Sequence, residues 1–100
     1  MSQMIVQYKV KPEQVERNEE LVRSVYAELA TVQPPGLRYA TFRLDDGVSF
    51  LHIVETEDGT DPLPEIAAFR AFVENIGDRL DNGPVPTKVS EIGTYRFRDS

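Results

Sequence analysis

Two strand-like runs in the middle of the chain are apolar on both of their faces. The runs are LRYATFRL (residues 37–44) and VSFLHIVET (residues 48–56), and the DDG segment between them is typical of a hairpin turn. In the second run, one face carries Leu51 and Ile53, and the other carries Val48, Phe50, His52 and Val54. A strand that is apolar on both faces is buried on both faces. The hairpin must therefore be covered from two sides.

The flanking segments predict two helices and two further strands. MIVQYKV (4–10) is rich in β-branched and aromatic residues and predicts a strand. Two apolar stripes at helical spacing follow, one over residues 15–32 that ends at QPPG and one over residues 66–80. TKVSEIGTYRF (87–97) predicts the last strand, with Gly93 at a bulge.

The resulting order, β-α-β-β-α-β, predicts one ferredoxin-like α+β domain over residues 1–100. Both helices would lie on one face of a four-stranded antiparallel sheet. No further element is left to cover the second face, and soluble monomers rarely expose a large apolar patch. We therefore expect a homodimer that packs sheet against sheet, with an interface of about 1,600 Å².

Composition excludes several classes of function. The chain has no cysteine, which rules out disulfides and thiolate metal sites, and it has no paired histidines with metal-ligand spacing and no glycine-rich phosphate loop. No metal site and no cofactor is therefore expected. Its net charge of −6 opposes binding to nucleic acid. No apolar run is long enough to cross a membrane and no signal peptide is visible, so the expected location is cytoplasmic.

The segment PPGLRYATFRLDDGVSFLHIVET resembles the signature of the antibiotic-biosynthesis-monooxygenase-like group of dimeric α+β barrel proteins. The resemblance lies in a Gly followed by Leu-Arg-Tyr, an aromatic residue with an Arg, a short acidic turn, and a strand that opens on Phe50. VKP (10–12), before the first predicted helix, resembles the start of many members, and FRAFVENI (69–76) is similar to their second helix, with its paired aromatic residues.

The resemblance implies a dimeric barrel and an activity such as cofactor-independent oxidation of aromatic polyketides or quinols. Two departures bear on the activity. The chain has no tryptophan, where the third strand of many members ends in Glu-x-Trp, so one usual aromatic contact is missing. Residues 65–82 contain no histidine, which disfavours the haem breakdown known in some members.

His52 is the candidate catalytic residue, because an imidazole can accept or donate a proton near neutral pH. On the resemblance, its face would look into the dimer barrel, and Tyr39, Phe42 and Phe50 would contact the substrate. Core packing with a satisfied hydrogen bond is the alternative for His52 and for Tyr39. Two functions stay open: a monooxygenase-like enzyme for a small aromatic, quinol or polyketide-like compound, and a non-catalytic homodimer that binds a small apolar ligand or a partner.

Overall fold

The computed structural model describes residues 2–97 and contains four strands and three α-helices in that range. In chain order they are β1 (Ser2–Val10), α1 (Val15–Val32), β2 (Leu37–Arg43), β3 (Ser49–Thr56), α2 (Ala67–Val73), α3 (Ile76–Arg79) and β4 (Leu80–Val89). The strands form one sheet in the order β2-β3-β1-β4. Every neighbouring pair is antiparallel. The predicted ferredoxin-like α+β fold is confirmed.

Helix α1 begins and ends where the sequence predicts. A single 3-10 turn with Pro12 at its start leads into the helix, a position at which the missing N–H of proline costs nothing. At the other end Gln33 takes a left-handed conformation with φ of 49°, and its N–H donates to the carbonyl of Leu29 at 2.8 Å. Pro34 and Pro35 follow and cannot continue the helix.

The hairpin between β2 and β3 is held by its acidic turn. The Asp46 carboxylate accepts hydrogen bonds from the N–H groups of Val48 and Ser49 and from the Ser49 hydroxyl, at 3.0, 2.8 and 2.6 Å. Gly47 has a φ of 79°, which is the positive value expected of it.

The second predicted helix is interrupted, which differs from the continuous stripe of residues 66–80. Glu74 is extended and Asn75 is left-handed with φ of 57°, so the segment splits into α2 and α3. Asparagine tolerates that conformation better than most residues. Arg79 stabilises the break, because its guanidinium donates to the carbonyl of Phe72 at 2.5 Å and to that of Glu74 at 3.4 Å.

The last strand lies earlier in the chain than predicted. It begins at Leu80, pairs with β1 and ends at Val89, whereas residues 90–97 lie outside the sheet. The prolines in this strand are tolerated because β4 is an edge strand. Gly83 permits the pairing, since a Cβ at this position would lie 2.9 Å from the carbonyl oxygen of Gln7.

The two faces of the sheet differ in how they are covered. The hydrophobic core lies between one face and the helices, and its buried members are Tyr8, Val10, Val22, Val25, Phe50, Phe72 and Leu80. The opposite face, which we call the open face, carries half-buried apolar side chains at Ile5, Ala40, Phe42, Leu51 and Ile53. The same face also carries Gln7, Arg38 and Glu55, so only its central part is apolar. At the edge of the sheet Val85 is 55% exposed, and the face is uncovered within residues 2–97.

Candidate functional site

His52 lies on the helix-covered face of the sheet, and the prediction that it looks into a dimer barrel is wrong. It occupies the central strand β3 and is only 3% exposed. The Phe72 ring of α2 lies over it, with the two ring centroids 5.5 Å apart. Because β3 is apolar on both faces, alternation alone could not tell which face the helices cover.

A cavity of about 240 Å³ separates the sheet from α2 and α3, and His52 and Tyr39 lie in its wall. Most of the wall is apolar, including Met4, Val6, Val54, Leu63, Phe69 and Ile76. Asp61 also lines the cavity. The polar groups of His52 and Tyr39 therefore lie in a largely apolar wall.

Both ring nitrogens of His52 are hydrogen-bonded to tyrosine hydroxyls. Nε2 lies 2.7 Å from the hydroxyl of Tyr8, and Nδ1 lies 2.6 Å from that of Tyr39. The Thr41 hydroxyl is a longer neighbour of Nδ1 at 3.2 Å and is itself 2.7 Å from the hydroxyl of Tyr26. The core alternative for His52 thus applies in part, because the imidazole is buried and satisfied, yet it also borders a cavity.

The network continues from Tyr8 to a buried arginine. Asn18 of α1 is completely buried and donates through Nδ2 to the Tyr8 hydroxyl at 3.0 Å. Its carbonyl oxygen accepts from Nε of Arg79 at 3.3 Å. The Arg79 guanidinium also lies 5.3 Å from the centroid of the Phe72 ring. We call these residues, Arg79, Asn18, Tyr8, His52 and Tyr39, the polar chain.

Burial shifts the acid–base properties of the polar chain. It lowers the pKa of His52 to about 4, because a charged imidazole is poorly solvated there. It raises the pKa of Tyr8 to about 12, against the opposing effects of the Asn18 hydrogen bond and the Arg79 charge. The pKa of Tyr39 is also raised, chiefly by burial and then by the neighbouring Tyr26 and Tyr8 hydroxyls. At neutral pH the imidazole and both phenols are therefore uncharged.

Helix α2, which supplies part of the cavity wall, is anchored by a carboxylate of α1. Glu28 accepts hydrogen bonds from the N–H groups of Ala67 and Ala68 at 3.1 and 2.9 Å. These N–H groups are at the start of α2 and have no partner within the helix. A negative charge at this end also interacts favourably with the helix dipole.

The structure brings only part of the predicted site together. Tyr39 and His52 both line the cavity. Phe50 is 2% exposed and stacks on Tyr8 in the core, outside the cavity wall. Phe42 lies on the open face, because it is an odd number of residues from Tyr39 along β2.

Three members of the site were not predicted from the sequence, although the spacing of two of them could have identified them. Asn18 lies at helical spacing within the apolar stripe of residues 15–32, and a polar residue there is buried and needs partners. Arg79 lies seven residues after Phe72, which is again helical spacing. Thr41 gave no signal, because a threonine in a strand is ordinary.

Within residues 2–97, no group of three or more His, Asp or Glu side chains is arranged to hold a metal ion. In the acidic turns, the carboxylates of Asp46, Asp58 and Asp61 accept hydrogen bonds from backbone N–H groups two or three residues further on. None of the described helices is long and apolar enough to cross a membrane.

No protein-family model matches the sequence, and no curated protein matches it either. Solved structures do match. A Nitrosomonas europaea protein provisionally named an antibiotic biosynthesis monooxygenase superposes with a TM-score of 0.77 at 18% identity, over 93% of this chain and 100% of that one. A crystal structure of an antibiotic biosynthesis monooxygenase gives 0.71 at 20% identity, with the same coverage of both chains. The chain has the antibiotic biosynthesis monooxygenase fold.

A variant of SnoaB, a cofactor-independent oxygenase from Streptomyces nogalater, shares the antibiotic biosynthesis monooxygenase fold with this chain. The two superpose with a TM-score of 0.65 at 16% identity, over 93% of this chain and 94% of SnoaB. The resemblance noted in the sequence is thus confirmed as a likeness of fold. At 16–20% identity the likeness shows the fold alone.

Proposed function

We propose that this protein is a cofactor-independent monooxygenase-like enzyme that oxidises a small aromatic, quinol or polyketide-like compound. The observation that carries the proposal is the apolar cavity with the His52 imidazole and the Tyr39 hydroxyl in its wall. A largely apolar pocket with a few convergent polar groups is the usual form of a small-molecule site. The fold shared with SnoaB, which is described as a cofactor-independent oxygenase, supports the same reaction class.

The cavity size limits the substrate. Its volume of about 240 Å³ exceeds the ~150 Å³ of an engineered protein cavity that holds benzene. It is below the ~300 Å³ at which pockets for drug-sized ligands begin. We therefore propose a substrate with one ring or two fused rings. The apolar walls and the tilted aromatic rings near His52 suit a flat molecule of this kind.

A quinol can reduce dioxygen itself, so the protein needs to contribute binding and proton transfer only. In the balanced reaction a quinol and O₂ give a hydroxyquinone and water. One oxygen atom becomes bonded to a ring carbon, the other leaves as water, and the quinol supplies the electrons for both. The contribution assigned to this chain is acid–base catalysis by His52, acting through the Tyr39 hydroxyl that touches its Nδ1.

Oxygen uptake with a panel of benzene- and naphthalene-based quinols tests the proposal. We expect turnover above the rate of spontaneous oxidation, and a fall of about a hundredfold or more in kcat for His52→Gln. Tyr39→Phe removes only a hydroxyl and is expected to lower kcat as well. Tyr95→Phe is the matched control, because Tyr95 is 78% exposed and lies outside the sheet.

Unchanged turnover in His52→Gln, with the fold intact by circular dichroism, would remove His52 from the mechanism.

One observation favours the second function, a non-catalytic protein that binds a small apolar ligand. Both His52 nitrogens already have protein partners, so neither nitrogen is directly free for a substrate. Binding of 2-naphthol, followed by its fluorescence, without oxygen uptake by any quinol would establish that second function.

We further propose that the protein acts as a homodimer through its open face. The apolar side chains there, together with Val85 and Val89 of β4, are left uncovered by the described helices. Contiguous apolar surface of this kind favours association with another chain. A two-fold axis would place the open faces of two copies against each other, so that the same surface is buried on both.

A further inference from the structure

The hydrogen bonds of the polar chain have a direction that is set at its buried arginine. The Nε atom of Arg79 can only donate, so the atom of Asn18 that faces it must be the carbonyl oxygen. The Asn18 amide cannot rotate without placing its NH₂ group against the guanidinium. Its NH₂ group is therefore directed at the Tyr8 hydroxyl, to which it donates.

The same reasoning fixes the proton of Tyr8. Its oxygen accepts from Asn18, so its own proton must go to another acceptor. Among the hydrogen bonds of residues 2–97, the second partner of this hydroxyl is Nε2 of His52, at 2.7 Å. A buried O–H without a partner is strongly unfavourable, so Tyr8 donates and Nε2 accepts.

An imidazole that accepts at Nε2 carries its proton at Nδ1 when it is neutral. Nδ1 then donates to the Tyr39 hydroxyl at 2.6 Å, which is closer than Thr41 at 3.2 Å. The proton of Tyr39 is left for Thr41 or for an acceptor atom of a ligand in the cavity. In every hydrogen bond of the polar chain, the donor thus lies on the side of Arg79 and the acceptor on the side of the cavity.

We propose that Arg79 and Asn18 are positioning residues that hold His52 as the Nδ1–H tautomer and make Tyr39 a hydrogen-bond donor to the ligand. The ligand would then present an acceptor oxygen, such as a quinone carbonyl or a phenolate. This deepens the proposed function and rests on it only for the nature of the ligand. It also sets the direction of proton transfer, because the hydrogen bonds of the polar chain are oriented to donate a proton to the ligand rather than to accept one from it.

The tautomer can be measured directly, since His52 is the only histidine in the chain. A long-range ¹H–¹⁵N correlation spectrum of ¹⁵N-labelled protein at neutral pH contains just two imidazole nitrogens and needs no assignment between residues. We expect a protonated Nδ1 and a bare Nε2. The opposite pattern in the unmodified protein would overturn the inference, whether or not any variant folds.

Asn18→Asp is designed to reverse the direction of the hydrogen bonds between Tyr8 and His52. A carboxylate accepts from Arg79 and also from Tyr8, so Tyr8 would turn its proton away from His52 and Nε2 would become protonated. The new charge lies against the guanidinium of Arg79, which compensates it. Asn82→Asp, at an exposed position of β4, is the matched control and is expected to keep the unmodified pattern. A bare Nε2 in Asn18→Asp would contradict the proposed role of Asn18.

Two probe ligands test the donor role of Tyr39. 1,4-Naphthoquinone offers only acceptor oxygens, whereas naphthalene has the same rings and no polar atom. In Asn18→Asp we expect affinity for the quinone to fall about tenfold, with naphthalene unaffected. If the unmodified protein binds the quinone no more tightly than naphthalene, the donor role is overturned. Absence of quinol turnover, with the tautomer and quinone binding as expected, would count against the proposed reaction alone.

Discussion

At the scale of the residue, the neutral imidazole of His52 makes folding sensitive to acid. Burial holds the pKa of His52 at about 4 in the folded protein, whereas an exposed histidine has a pKa of 6.5. Between these values the unfolded chain binds more protons than the folded one, so the free energy of unfolding decreases as the pH falls. Well above pH 6.5 His52 does not change the free energy of unfolding, and well below pH 4 its contribution to the loss of stability is constant.

We expect His52 to account for a loss of about 3 kcal/mol across this window. Urea unfolding at both ends of the window measures it, and His52→Gln supplies the comparison, because carboxylates that also titrate in acid are common to both proteins. If the variant loses as much stability on acidification as the unmodified protein, the imidazole is not buried in its neutral form.

The residue scale is also where sequence reasoning reached its limit. His52 and Tyr39 were found from their chemistry, and both border the cavity. Phe42 was grouped with them, although strand alternation places it on the opposite face. Tyr8 accepts from Asn18 of α1, and Asn18 accepts from Arg79 at the end of α3. Contacts between such distant segments depend on how the helices lie across the sheet.

At the scale of the element, the cavity depends on how α2 is held over the sheet. Among residues 2–97, the Glu28 carboxylate is the side chain that caps the start of α2, through the N–H groups of Ala67 and Ala68. We expect Glu28→Ala to lower the free energy of unfolding by about 1 kcal/mol, the usual contribution of a capping side chain. Chemical denaturation measures this directly.

Glu20→Ala is the control for the loss of a carboxylate from the same helix. Glu20 forms only a surface ion pair with Arg17 at 3.8 Å, with both side chains mostly exposed, and such pairs contribute little. Equal destabilisation by the two substitutions would mean that the Glu28 hydrogen bonds do not stabilise α2.

Most elements could be predicted from periodicity, and the exceptions have local causes. Helix α1 and the hairpin have strong end signals in the prolines after Gln33 and in Gly47. The break at Glu74 and Asn75 has none, because it depends on the Arg79 side chain, which turns back and binds the carbonyls of Phe72 and Glu74. β4 begins earlier than expected because pairing with β1 outweighs the poor strand propensity of its glycine and prolines.

At the scale of the whole molecule, the open face leads us to expect a dimer. Static light scattering at micromolar concentration should give twice the chain mass of 11.3 kDa. Leu51→Glu places a charge in the centre of the open face and is expected to give the monomer mass. Val32→Glu makes the same change at the end of α1, where the side chain is 52% exposed, and should leave the dimer intact.

A monomer mass for the unmodified protein would show that the open face is exposed to water in solution. The cavity would be unaffected by that result, because it lies on the other side of the sheet between β1, β3 and α2. Association and ligand binding are therefore separable, and Leu51→Glu should still bind 2-naphthol.

The guanidinium of Arg79 ties the shape of the cavity to the order of its protons. It binds the carbonyl of Phe72, whose ring covers the imidazole, and through Nε it also orients Asn18. A guest large enough to push α2 outward would pull on this same cation and loosen its hold on the amide. One side chain, Arg79, would consequently couple the size of the ligand to the direction of the hydrogen bonds. With a molecule of the wrong size, Tyr39 would no longer be held as a hydrogen-bond donor.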